Sequence, residues 1–217
     1  EGRDVFVPLD HVIGGAEGIG KGWRMLMESL AAGRSISLPS LSVSACKYAA
    51  HVAGSYAVVR EQFGLPLRRF EGIQEPLARI AAAAVTGDAV RRLTCGAVDA
   101  GESPSVLSGI SKAYLTDIMR DSVSDAMDIL AGAAICRGPA NMLSQIYTSV
   151  PIAITVEGAN ILTRSMIIFG QGAIRGHPYL RREMQAIAEK DAEAFDGLIW
   201  RHGRHLLGRY TAAALHG

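Results

Sequence analysis

Cysteine is scarce in this sequence. Cys46, Cys95 and Cys136 are widely separated and odd in number, which excludes a paired disulfide framework and gives no metal-ligand spacing. They read as small buried hydrophobes of a reducing compartment. An excess of charge of one sign is also missing: charged residues make up 20% of the 217 and the formal net charge is +1. No long-range field is therefore available to gather nucleic acid or anionic lipid. The apolar runs are broken by charges before they reach the roughly 20 residues that cross a bilayer, and the first residues lack the charged-then-apolar order of a signal peptide. No initiator Met opens the chain and residues 206–217 stop within a helix-prone pattern, so both ends are expected to be cuts. His177, His202 and His205 have no third ligand at fixed spacing, so no metal site is expected and the three read as solvated. Gly14, Gly15, Gly18, Gly20 and Gly22 have the wrong spacing for a dinucleotide loop.

What is present is apolar and helical. A hydrophobic content of 49% fills a sizeable core. Residues 4–12 alternate apolar and polar with β-branched content before a Gly-rich stretch, which predicts a strand and a turn. From Trp23 to Phe63 the apolar residues recur at helical spacing, with Pro39 as an interruption or first-turn residue. A second long helix is expected over 73–98 on the stripe Leu77, Ile80, Ala81, Ala84, Val85, Ala89 and Leu93, and a third from the cap Ser103 and Pro104 through Ile110, Tyr114, Ile118, Val123 and Met127 towards Gly132. Shorter helices are expected over 141–147 and 159–168, separated by the β-branched segment 149–156, and a single charged helix over 180–207 as an appendage. These elements predict an all-α fold, an antiparallel four-helix-type bundle. The lone strand in front implies a sheet in a missing upstream region, because a lone strand cannot satisfy its backbone groups.

Particular stretches narrow the function. The run Arg60-Glu61-Gln62-Phe63-Gly64, followed by Phe70, Ile73 and Leu77-Ala78, resembles the Arg-x-x-Phe-Gly, aromatic, Leu-Ala pattern of the acyl-CoA dehydrogenase family. Val156-Glu157-Gly158-Ala159-Asn160 is similar to the Glu-Gly-Thr segment that carries the base in that family, and the order and separations hold through about Gly172. Residues 159–164 and 168–175 look like its bacterial long-chain branch, fatty acid degradation protein E, whose bundle is followed by an extra helical region. The resemblance implies three parts: 1–20 as the end of a middle β domain and linker, 21–172 as the C-terminal helical bundle, and 173–217 as the start of an additional helical region.

It also implies the chemistry. Taking a proton from the carbon next to a thioester requires a carboxylate aimed at that carbon where water cannot compete, and Ile152, Ile154 and Val156 flank Glu157 with apolar groups. Taken alone, Glu157 reads as a solvated acid near a helix N-terminus; the resemblance makes it the catalytic base. Gly158 beside it leaves room for the acyl group and, with Arg34 at the family's substrate-side arginine, belongs to the substrate site; Arg34 alone reads equally well as a surface charge. Arg60 alone caps a helix C-terminus and Phe63 and Phe70 are ordinary core aromatics. By resemblance Arg60, Phe63, Phe70 and Gly132 contact FAD, the first two across a subunit interface. The family pattern is departed from at Asp128 and Glu71, which stand where Gln is common, and Arg120 or Arg137 are the expected partners of a buried Asp128.

The implied activity is FAD-dependent α,β-dehydrogenation of a medium- or long-chain fatty acyl-CoA to trans-2-enoyl-CoA in fatty acid β-oxidation, with electron-transferring flavoprotein as acceptor. A homo-oligomer, a bacterial cytoplasmic location, at most peripheral to the inner membrane, and inactivity of the 217 residues by themselves complete the expectation. The alternatives are a related acyl-CoA oxidase or nitroalkane oxidase, and a non-catalytic helical oligomerisation module.

Overall fold

Helices dominate a computed structural model that describes residues 2–102 and 104–216, with the side chains of residues 27, 28, 31, 32, 105, 166 and 216 left aside. Residues 1–164 and 165–217 form two compact units. In the first, α1 (Gly22–Val59), α2 (Glu71–Asp99) and α3 (Ser105–Leu130) pack on one another. At 1.5 Å per residue α1 is about 57 Å long. Its buried positions Leu38, Ala45, Cys46, Ala49, Val52 and Ala53 recur at helical spacing, and the small side chains let α3 approach closely. The fourth member is α5 (Ser144–Thr155), which lays Val150 and Ala153 against Leu38, Cys46, Met119 and Val123. A second cluster, with Val52, Ile80, Ile129 and Leu143, closes the end of the bundle where α1 leaves and α2 enters. The all-α bundle agrees with the sequence pattern.

Several local expectations are corrected. Residues 4–12 form no strand: the segment carries a 3-10 turn at Leu9–His11, and Val5, Phe6 and Val7 are exposed. Alternation alone does not make a strand where no second strand offers hydrogen bonds. Pro39 is neither a break nor a first-turn residue; it is buried inside α1, where packing against α3 and α5 compensates the missing backbone donor. The β-branched segment 149–156 is helical up to Thr155, because its apolar residues also fit a 3.6-residue period. The expected cap Ser103 lies outside the described residues.

The turn between α1 and α2 is a short hairpin of β1 (Glu61–Gln62) and β2 (Leu65–Pro66), in register Glu61 to Pro66 and Gln62 to Leu65. Phe63 and Gly64 at its tip both have positive φ, +53° and +76°, as a primed two-residue turn requires. After α3 come the short α4 (Gly132–Ile135) and α6 (Asn160–Leu162), and the helix expected over 159–168 passes at Thr163 into a π-helical stretch ending at Gln171.

The second unit contains α7 (Gly172–Gly176), α8 (Leu180–Glu189) and α9 (Ala192–His216), so the single appended helix expected over 180–207 is two. Lys190 turns left-handed at φ +56°, and the Asp191 carboxylate accepts the Ala194 amide proton at 2.9 Å as the cap of α9. Its histidines are packed rather than solvated. His202 Nδ1 lies 2.8 Å from Glu183 Oε1, its ring stacks on Tyr179, and the His177 and His202 ring centres are 4.5 Å apart. Among the described residues, no single helix is long and apolar enough to cross a membrane.

Candidate active site

Glu157 sits in the four-residue turn, residues 156–159, between α5 and α6. Its φ is +53°, a left-handed value that costs a non-glycine residue on the order of 1 kcal/mol, and Gly158 follows at φ +93°. A Cβ at Gly158 would lie 3.1 Å from Thr163 Oγ1, so the turn needs glycine for space as well as for conformation. The left-handed pair swings the Glu157 side chain back over α1, where Gly33 presents no side chain: a Cβ there would stand 3.4 Å from Glu157 Oε1. Glu157 Oε2 is buried and accepts no hydrogen bond among the described residues. A buried carboxylate oxygen without a donor is a costly arrangement that points to a partner outside the chain.

Two buried cations hold this turn. Arg34, only 3% exposed and thus no surface charge, donates from Nε to the Glu157 carbonyl oxygen at 2.9 Å. Lys112, on α3 and fully buried, donates to the carbonyl oxygens of Ile154 at 2.9 Å and Gly158 at 2.8 Å and to Asn160 Oδ1 at 2.7 Å. Asn160 in turn donates to the Ala113 carbonyl, Thr116 Oγ1 and Asp117 Oδ1, and Asp117 pairs with Arg164. Burial pushes the Arg34 guanidinium down, against the pull of the Glu157 charge. Burial, and then the Arg34 charge, push the Lys112 ammonium down to about 8, opposed by Glu157 and Asp117. Lys112, Asn160 and Gly33 carry no weight in the motif reading. Lys112 falls on the buried stripe of Ser108, Leu115 and Met119, where an unpaired lysine is not tolerated; the apolar spacing of this helix gave no signal for it.

An apolar cavity of about 510 Å³ begins next to this turn, between α1, α3 and α5. Val156, the residue before Glu157, and Leu38, one helical turn beyond Arg34, belong to its lining, together with Ala45, Tyr48, Met119 and Ile152. The apolar flank expected at Glu157 is uneven: Ile154 packs on the core, whereas Ile152 and Val156 are exposed towards this cavity.

The remaining expected site residues are gathered elsewhere. Arg60 lies about 39 Å along α1 from Arg34 at 1.5 Å per residue. It is exposed beside Phe63, whose ring is 94% exposed and meets Phe70 edge-on at 6.4 Å, so Phe63 is not a core aromatic. Gly132 is exposed at the same end of the bundle, and a Cβ there would meet open space. Asp128 is exposed rather than buried and is paired with neither Arg120 nor Arg137 among the described residues, so it needs no partner to offset burial. Glu71 is exposed in the first turn of α2, where the helix dipole favours a carboxylate.

Comparison with known proteins decides the family. The family model described as the acyl-CoA dehydrogenase C-terminal domain matches residues 20–170. The chain belongs to the acyl-CoA dehydrogenase family. A second model, acyl-CoA dehydrogenase, C-terminal, bacterial type, matches residues 174–217. Among curated relatives, protein HemX of Proteus mirabilis is 54% identical over 54 residues, 25% of this chain and 32% of that protein. The probable acyl-CoA dehydrogenase FadE10 of Mycobacterium tuberculosis is 33% identical over 99 residues, 46% of this chain and 15% of that protein. Mitochondrial isobutyryl-CoA dehydrogenase of Bos taurus is 28% identical over 166 residues, 76% of this chain and 38% of that protein. The crystal structure of an acyl-CoA dehydrogenase from Geobacillus kaustophilus superposes with a TM-score of 0.66 at 22% identity, covering 70% of this chain and 39% of that one, which establishes the fold. The chain thus spans less than four-tenths of the length of each of these proteins.

Proposed function

We propose that this chain supplies the catalytic base and part of the acyl site of an FAD-dependent acyl-CoA dehydrogenase that converts a medium- or long-chain fatty acyl-CoA to the trans-2-enoyl thioester. The observation that carries the proposal is the Glu157 carboxylate, folded over Gly33 with one buried oxygen lacking a donor among the described residues, in a turn whose preceding residue, Val156, lines an apolar cavity. Glu157 takes the α-proton onto its carboxylate. Bound flavin supplies the acceptor for the hydride that leaves the β-carbon. Backbone amides of the turn polarise the thioester carbonyl, Gly158 gives the acyl group room, and Arg34 fixes the Glu157 backbone. The apolar walls of the cavity suit a hydrocarbon tail and exclude water from the proton transfer.

The other end of the bundle suits the cofactor. Arg60 offers a guanidinium fork for a diphosphate, and the exposed Phe63 ring, steadied by Phe70, offers a face for an adenine or flavin ring. Gly132 leaves space beside them. Because Arg60 and Glu157 stand at opposite ends of the bundle, one cofactor serving both would be shared between subunits, which fits a homo-oligomer. The bacterial-type match over 174–217, beside the match over 20–170, supports the fatty acid degradation protein E branch and a division near residues 20 and 172; cytoplasmic β-oxidation and an electron-transferring flavoprotein partner complete the proposal.

The test is turnover of acyl-CoA thioesters of several lengths with a dye acceptor by the full-length protein that carries this chain, beside Glu157→Gln. Loss of turnover with flavin retained supports the assignment; wild-type turnover by Glu157→Gln ends it.

A further inference from the structure

We infer that Lys112 is the positioning residue of this site: its ammonium ties the end of α5, the Glu157–Gly158 turn and the start of α6 into one rigid unit, and so fixes where the base points. The inference rests on Glu157 being the base. An ammonium has three N–H donors, and Lys112 spends them on three acceptors from three successive pieces of chain: Ile154 O in the last turn of α5, Gly158 O in the turn, and Asn160 Oδ1 at the first residue of α6. The positive charge also faces the carbonyl end of the α5 dipole.

The turn needs such a tie. Glu157 and Gly158 are successive left-handed residues, and the former is strained. The only other side-chain donors to the turn carbonyls are Arg34 Nε on Glu157 O and Thr163 Oγ1 on Gly158 O, each making one bond, among the described residues. Only Lys112 reaches both sides of the turn at once. Asn160, whose amide nitrogen is anchored on Ala113, Thr116 and Asp117, then locks α6 to α3.

Loss of one proton breaks the count, because a neutral amine keeps two donors for three acceptors. The charged groups around the ammonium are Arg34 from α1, Glu157 from the turn and Asp117 from α3, itself paired with Arg164; α5 carries no charged residue. Their balance, with burial, sets the Lys112 titration near about 8. The base is then best aimed below that pH and loosened above it.

The experiment compares Lys112→Met and Lys112→Arg with the wild type in the full-length protein, reading amide hydrogen exchange of residues 155–160 and the pH profile of kcat. Lys112→Met is expected to lower kcat by about 10- to 100-fold with KM changed much less, the scale of a misplacement of about 1 Å. It is also expected to raise exchange in 155–160 but not in α2, and to remove an alkaline fall of kcat near pH 8. Lys112→Arg, charged at every pH, is expected to restore part of kcat without that fall. Unchanged exchange in 155–160, or a wild-type profile flat across pH 7–9, overturns the inference. Should Lys112→Met fail to fold, Lys112→Arg and the wild-type profile decide alone. Turnover by Glu157→Gln would instead end the base assignment, and the exchange result would still judge the tie.

Discussion

Lys112 Nζ lies 2.8 Å from the Gly158 carbonyl oxygen, joining a fully buried cation 46 residues upstream to the turn that carries Glu157. Burial of the ammonium, and then the nearby Arg34 charge, set a pH dependence of stability. In the unfolded chain the lysine titrates near its ordinary 10.5, and in the fold near about 8. Below pH 8 both states hold the proton and Lys112 adds no slope. Between about 8 and 10.5 the unfolded state binds more protons than the folded one, so folding stability rises with pH. Denaturant titrations of wild type and Lys112→Met at steps from pH 7 to 10 should show the wild type gaining on the variant, by up to roughly 3 kcal/mol. A pH-independent difference would remove the claim.

Gly158 is the second place where the site is exacting. Gly158→Ala puts a Cβ 3.1 Å from Thr163 Oγ1 at a φ of +93°. Strain of on the order of 1–3 kcal/mol is expected, with a fall in melting temperature. Adding Thr163→Ala relieves the contact but not the backbone strain, so the pair should recover only part of the loss.

The bundle was legible in the sequence because burial and helical periodicity coincide. Ile80 and Ala84 of α2 and Val123 of α3 lie on the buried faces as their spacing predicts, whereas Ala81, Val85, Ala89 and Leu93 of α2 and Ile110 and Tyr114 of α3, placed on the same stripes, are exposed, because an apolar period does not say which of two neighbouring rows meets a partner. Residues 4–12 misled because alternation describes a strand only when a neighbour completes its hydrogen bonds, and the pattern holds no record of a neighbour. The site divided along similar lines. Glu157 and Gly158 are adjacent and motif-like, so resemblance found them. Lys112 and Asn160 act from 45 and 3 residues away through a hydrogen-bond network that no local motif encodes. Lys190 and Asp191, by contrast, were readable: an Asp three residues before the amide it caps is a local signal, and it marks the break between α8 and α9.

Arg60 and Phe63 separate cofactor retention from folding. Both are exposed, and the ring contact of Phe63 is edge-on with Phe70, so Arg60→Ala and Phe63→Ala should change stability by less than about 0.5 kcal/mol. Each should nevertheless lower the flavin retained by the full-length protein, read from visible absorbance after gel filtration. Equal flavin content with lower stability would make them structural residues instead.

Gly33 gives the sharpest separation between stability and activity. It lies inside α1, where replacing glycine by alanine stabilises a helix by roughly 0.5–1 kcal/mol. The new methyl group would stand 3.4 Å from Glu157 Oε1 and 3.8 Å from Oε2, tight but not overlapping. The methyl group therefore touches the carboxylate and restricts its movement without forcing it aside, while the rest of the bundle is untouched. Gly33→Ala should melt at or above the wild-type temperature and turn over more slowly, with the loss in kcat. Gly33→Val, which adds branches toward the same oxygens, should deepen that loss. A carboxylate with no catalytic part would register neither change in rate, so a Gly33→Ala protein as active as the wild type would count against the base at 157.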